Sequence, residues 1–282
     1  MVNFIIKSKY FFVFILIFWA ARTVSFAQCV DKEAVFEPGE KIYYDAVYNW
    51  GFIWLNAGNV IFAVDSADHN GKEAIRFSSY GKSLPSYDWF FKVRDYFQSV
   101  VRPTDMRPLK FERKTSEGGY KVHNRYQFDY QDKRIASKTE NSDKPYMEDS
   151  LRMKDCVYDV LSGVYFTRNI DYSKYAVNDT IPIRMIIDNE IYDLYLRYHG
   201  KEQLKMRNGQ VFPTIKFTAL LVEGTIFKGG EDLTVWVSDD KNKVPILIEA
   251  KILVGSVKAV LREFENLKYP SVLDNYEQPE DF

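Results

Sequence analysis

Residues 41–50 alternate, with Ile42, Tyr44, Ala46, Tyr48 and Trp50 on one side and Lys41, Tyr43, Asp45, Val47 and Asn49 on the other. Successive strand side chains leave on opposite faces, so this spacing predicts a half-buried β-strand. A second strand is predicted over residues 58–65 and a third over about 73–80, with Gly51, Asn56 and Gly58 in the first connection. Residues 109–115 and 120–130 form a predicted hairpin across Glu117-Gly118-Gly119, whose glycines accept the positive φ of a tight turn. Residues 134–139 extend it, and the polar run 140–149 reads as a solvated loop.

Helical spacing is scarce. Its best example is 155–170, where Val157, Val160, Leu161, Val164 and Tyr165 recur at three and four residues; Asp155 is the expected cap, with Cys156 in the first turn. A shorter helical or turn segment is expected over 86–93. Strands resume over 180–187, 190–198, 202–207 and 210–220, the last two joined at Asn208-Gly209, a strong hairpin signal. Strands over 233–238, 244–254 and 256–264 close the series.

More than ten strands joined mostly by short turns predict a mainly β fold: a large antiparallel curled sheet, or an open or closed barrel, with one principal α-helix. No linker-like stretch divides it. The expected organisation is a signal peptide at 1–27, one β-rich domain at 28–268, and a poorly ordered acidic tail at 269–282.

The signal peptide is expected because Lys7 and Lys9 precede an apolar run from Tyr10 to Ala21 that ends at Ser25-Phe26-Ala27, with cleavage after Ala27. Arg22 interrupts the run too early for a membrane-spanning helix, which needs about 20 apolar residues. The expected location is therefore periplasmic or otherwise exported, with no transmembrane segment in the mature chain. Cys29 invites a lipoprotein reading, but Gln28 and Phe26 stand where such signals carry a small and a Leu-like residue. The other cysteine, Cys156, is either its disulfide partner in an oxidising compartment or a buried free thiol.

Removing residues 1–27 leaves 35 basic against 39 acidic side chains, a net of −4, which gives no support to nucleic-acid capture. The chain holds 20 Tyr, 21 Phe and 5 Trp, and two aromatic groups stand out as candidate walls of a ligand groove: Tyr48, Trp50 and Trp54, and Tyr87, Trp89 and Phe90. Core packing is the alternative reading of both.

Recognisable chemistry is missing. His69, His123 and His199 show no metal-ligand spacing, and Ser162 sits inside the expected helix rather than in a nucleophile elbow. Asp239-Asp240 with Asn242 resembles a calcium loop only briefly, since Pro245 and Lys251 stand where an EF-hand needs Gly and Glu. Asp88 with Asp95 would suit a glycosidase pair only at a separation that sequence does not supply. No catalytic residue, cofactor or metal is therefore assigned.

Certain segments carry a family resemblance: Phe36-Glu37-Pro38-Gly39-Glu40, Tyr48-Asn49-Trp50-Gly51 through Ala57-Gly58, and Asp88-Trp89-Phe90-Phe91-Lys92-Val93-Arg94-Asp95. Glu117-Gly118-Gly119-Tyr120, Asp159-Val160-Leu161-Ser162, and Val235-Trp236-Val237-Ser238-Asp239-Asp240 with Pro245 complete the set. On these the chain resembles an exported bacterial family, domain-of-unknown-function family 3108 (DUF-3108). The resemblance implies a mainly β envelope protein of Gram-negative type and brings no activity with it. The expected function is non-enzymatic binding of an apolar or amphipathic envelope component, a lipid, glycan or envelope protein, in the concavity of the sheet. A structural or assembly role through an exposed sheet edge is the alternative, followed by an enzyme acting on cell-wall glycan.

Overall fold

The computed structural model describes residue 29 and residues 33–50, 53–222, 229–252 and 255–277. The expected export signal lies outside them. Fifteen strands form one sheet among the described residues: β1 (Lys41–Trp50), β2 (Ile53–His69), β3 (Lys72–Ser83), β4 (Val93–Val101) and β5 (Pro108–Glu117) lead the chain. β6 (Tyr120–Asp129), β7 (Arg134–Asn141), β8 (Met147–Arg152) and β9 (Val157–Tyr158) follow. After one α-helix, α1 (Val160–Arg168), come β10 (Thr180–Ile187), β11 (Glu190–Lys205), β12 (Val211–Leu221), β13 (Gly230–Ser238), β14 (Pro245–Lys251) and β15 (Ser256–Glu265).

The spatial order runs from β8 back to β1, crosses to β15 and descends to β9, so β1 and β15 pair in the middle while β8 and β9 are the two ends. Every neighbouring pair is antiparallel except β9 with β10, which makes the sheet mixed. It does not close by strand pairing. It curls, because the β10–β11 turn from one half reaches strands of the other. Asp188 binds Arg113 at 3.1 Å and accepts a 3.0 Å bond from Asn124, while the Asn189 N–H donates to Tyr126 Oη at 3.1 Å and its side-chain amide to Asp149 at 3.1 Å.

Inside the curl lies α1. Asp159, not Asp155, caps it, accepting from Leu161 N and Ser162 N, and Ser162 Oγ returns a bond from Asp159 N, completing a capping box. Cys156 sits before the helix with φ +56°, and Val157 and Tyr158 pair with β10, which is why the helix starts five residues later than its spacing suggested. Gly163 lets β10 approach, since a Cβ there would stand 2.8 Å from Met185 Cε.

Tyr165 stacks on Phe77 of β3 with centroids 3.9 Å apart, and Phe36 packs edge-on against both. Ser99 of β4 donates to the Asp159 carboxylate at 2.6 Å. Arg168, 2% exposed, makes two bonds to Glu40, 0% exposed, at 2.5 and 2.9 Å, and a third to Asn242 O at 3.0 Å. The helix and its aromatic neighbours thus occupy the concave face beside β3, β4, β9 and β10.

A second core joins Ile42, Tyr44 and Val47 of β1 to Phe212, Ile246, Val260, Leu261 and Leu273. Leu273 belongs to the tail expected to be poorly ordered. Residues 269–277 are instead docked. Asp240 accepts bonds from Ser271 Oγ and Val272 N as well as from Ser238 Oγ, Asn242 N and Lys243 N, and Asn242 exchanges bonds with Tyr269. The Asp-Asp-x-Asn turn is therefore a clamp for the tail, its acceptors satisfied by protein donors. Residues 278–282 lie outside the described residues.

The sheet departs from the expected one in several places: β4 has no counterpart among the expected strands, and those expected over 190–198 and 202–207 are one strand, β11, with a register shift at Tyr198/Gly200. The first connection is shorter than expected because β2 begins at Ile53 and incorporates Gly58, where a Cβ would stand 2.4 Å from Lys82 O. The polar run 140–149, expected as a loop, holds the first half of β8 (Met147–Arg152), whose residues are nearly all exposed and so show no apolar alternation.

Candidate functional site

The β3–β4 connection carries the most unusual surface of the molecule. Pro85 opens a short 3₁₀ turn through Tyr87, whose carbonyl accepts from both Phe90 N and Phe91 N at 3.0 Å. Asp88 pins this loop to the sheet: it accepts from Ser83 Oγ at 2.5 Å and from Arg94 at 3.0 and 2.5 Å. These bonds hold its carboxyl down at about 2. The loop is thereby fixed, yet Trp89 is 83% and Phe90 77% exposed, with their rings 5.9 Å apart.

Phe91, 48% exposed, ties the loop to the β5–β6 hairpin. Its ring lies over Gly118, where φ is +57° and a Cβ would stand 2.4 Å from the ring; Gly118 N donates to Lys92 O at 3.0 Å. Tyr120, 42% exposed, extends the aromatic surface across the hairpin. Trp89 and Phe90, exposed side by side, are the kind of apolar surface that marks interaction sites.

Beside the loop, the face of β2–β7 turned away from α1 carries a row set by strand register: Ile61, Tyr80, Tyr96, Lys114, His123 and Glu140. Tyr80 and Tyr96 lie 4.9 Å apart in a depression of about 460 Å³ that Asn59, Lys82, Arg94 and Lys114 also line. A second depression of about 440 Å³ shares Arg94 and Lys114 and extends to Lys121, His123 and Glu140. His123 is held between Glu112 at 2.9 Å and Glu140 at 3.2 Å. The groove is shallow, aromatic and edged by cations, and Arg94 connects it to the loop.

Of the six aromatics expected to line a groove, only Trp89 and Phe90 stand at this surface with Tyr87 at their base. Trp54 packs against the second core, with Arg207 at 4.8 Å and Lys258 at 4.6 Å over its ring. Tyr48 is half-buried in β1, and the side chain of Trp50 lies outside the described residues. None of the six lines either depression. Tyr80, Lys82, Arg94 and Tyr96 were missed, although each strand places its pair two residues apart and hence on one face.

Asp88 and Asp95 do not form a shared pair. Asp88 is engaged by Arg94, and Arg94 and Asp95 leave β4 on opposite faces. Burial, with Glu117 nearby, pushes the Asp95 carboxyl up to about 6. Cys29 and Cys156 are bonded, with Cα atoms 5.2 Å apart. Among the described residues no cluster of three or more His, Cys, Asp or Glu is placed to hold a metal ion, and no helix is long and apolar enough to cross a membrane.

A mixed sheet curled around one helix defines a barrel-like β protein. Its fold is similar to a solved structure described as a beta-barrel-like protein of domain of unknown function DUF1849 from Brucella abortus, at TM-score 0.53 and 8% identity, covering 84% of this chain and 100% of that one. The chain belongs to the family described as protein of unknown function (DUF3108), which it matches over residues 43–262. A comparison with curated proteins finds no match.

Proposed function

We propose that this is a non-enzymatic, exported protein of the bacterial cell envelope that docks an apolar or amphipathic envelope component through the 84–92 loop. One observation carries the reading: Trp89 and Phe90 are 83% and 77% exposed on a loop that Asp88 ties to Ser83 and Arg94. A flexible loop would expose aromatics only transiently. A pinned one presents them permanently, at an entropic cost already met before any partner arrives. The Tyr80–Tyr96 groove and its cations supply polar contacts alongside. Export rests on the leader-like segment at 1–27 and on the bonded pair Cys29–Cys156, a linkage favoured in oxidising compartments.

A photo-reactive amino acid placed at position 90 in cells tests this reading. Crosslinks to an envelope lipid or protein, with the chain in the envelope fraction, are expected; absence of any crosslink refutes it. A second reading, assembly by strand pairing, draws on β8, one of the two end strands of the sheet and exposed along most of its length. It predicts crosslinks from position 149 instead of position 90.

A further inference from the structure

We propose that the partner of the aromatic loop is an anionic membrane surface, on which the end of the sheet carrying Trp89, Phe90, Phe91 and Tyr120 rests. This rests on the docking reading above and adds the identity of the occupant. Trp89, Phe90 and Phe91 belong to the β3–β4 connection and Tyr120 opens β6, and the two segments are tied together because Phe91 sits on Gly118 and Lys92 O accepts from Gly118 N. Trp and Tyr combine an apolar ring with a polar group, the chemistry suited to the headgroup level of a bilayer.

Charge selects the kind of surface. Lys82, Lys92 and Lys121 are exposed around the rings. Residues 82–94 carry three basic side chains and one acidic, and residues 114–121 two and one. The adjoining turn 140–144 contributes Glu140, Asp143 and Lys144, and Asp95 lines the same depression as Lys82 and Arg94, leaving this end at +1 in a chain whose net charge is −1. Of the acids, Asp88 is neutralised by Arg94, Asp188 pairs with Arg113, Glu140 contacts His123 and Asp143 bonds Tyr120, while Glu117 and Asp95 remain near the rim. A protein groove would match the rings without calling for a ring of lysines. An anionic bilayer matches both, as apolar residues enter the interface and lysines meet lipid phosphates.

The same arrangement sets the orientation. Strands β2 to β7 run toward the surface, so the two depressions stand just above it, where Arg94 and Lys114 face the headgroups of lipids beside the loop.

Sedimentation of the purified protein with vesicles tests the inference. With equal parts phosphatidylglycerol and phosphatidylethanolamine, the protein is expected to pellet; with phosphatidylcholine alone, it is expected to stay in the supernatant. Trp89→Ala with Phe90→Ala should abolish pelleting, and Lys82→Gln, Lys92→Gln and Lys121→Gln together should weaken it at least about tenfold. Thermal unfolding of each variant checks that the fold is intact, as the exposure of these side chains requires. Failure to pellet with anionic vesicles, or undiminished pelleting of the aromatic variant, overturns the inference. Crosslinking from position 90 to a protein, with no vesicle binding, overturns the membrane assignment while leaving the docking reading standing.

Discussion

Removing one side of the Glu40–Arg168 pair should destabilise the fold far more than removing both. Glu40 is 0% and Arg168 2% exposed, and the guanidinium spends its donors on the two Glu40 oxygens and on Asn242 O while lying 5.4 Å from the Phe36 ring. A buried charge without its counterion costs about 3–5 kcal/mol, a large share of the 5–15 kcal/mol typical of a domain. Glu40→Leu and Arg168→Met should each lose about that much, which for a domain of this size lowers Tm by roughly 6–20 °C. The double variant leaves no orphaned charge. It should lose less than either single variant, so that more than half of the summed single losses is recovered, because well-packed apolar replacements of buried pairs are often neutral or stabilising. Urea unfolding followed by tryptophan fluorescence gives all four free energies. Single losses below about 1 kcal/mol, or strict additivity, would refute the reasoning, since either would mean the pair is solvated.

Other consequences are as direct. Burial pushes the Asp159 carboxyl from 3.8 up to about 6, so its contribution is complete below 3.8 and lost as pH rises through about 6. An Asp159→Asn chain should therefore lose less stability than the wild type on going from about pH 4 to pH 7 in paired urea titrations; parallel losses would contradict the assignment. Reducing the Cys29–Cys156 bond releases a loop spanning 127 residues, for which chain entropy predicts a loss of about 4–5 kcal/mol, read as a lower urea midpoint in dithiothreitol. Gly118→Ala places a methyl 2.4 Å from the Phe91 ring at φ +57°, so it should cost about 1 kcal/mol or more and shift the aromatic loop, seen as altered Trp89 emission.

Much of the sheet was legible in the chain because period-two alternation and glycine turns act locally, as at β1 and at the Gly118-Gly119 hairpin. Where exposure on both faces erased the alternation, β8 disappeared into an apparent loop. Gly58 read as a turn signal for a related reason: its lack of a side chain serves the close approach of Lys82 O, a neighbour visible only in three dimensions. The helix was legible by its spacing, but its start was not, because Asp155 and Asp159 are equally good caps until Val157 and Tyr158 pair with β10. Glu40 and Arg168 stand 128 residues apart, and no local pattern joins them.

The site divides in the same way. Trp89 and Phe90 could be singled out as an aromatic group, while their exposure depended on the Asp88 knot with Ser83 and Arg94. The Tyr80–Tyr96 row came from cross-strand register, which no single strand encodes.

Association with isolated cell envelopes tests the central claim most directly, comparing the wild type with the Trp89→Ala, Phe90→Ala chain. Both residues are largely exposed, so unfolding free energies should agree within about 0.5 kcal/mol. The account predicts that the wild type sediments with the envelopes and the equally stable double variant stays soluble; equal sedimentation of the two would contradict it.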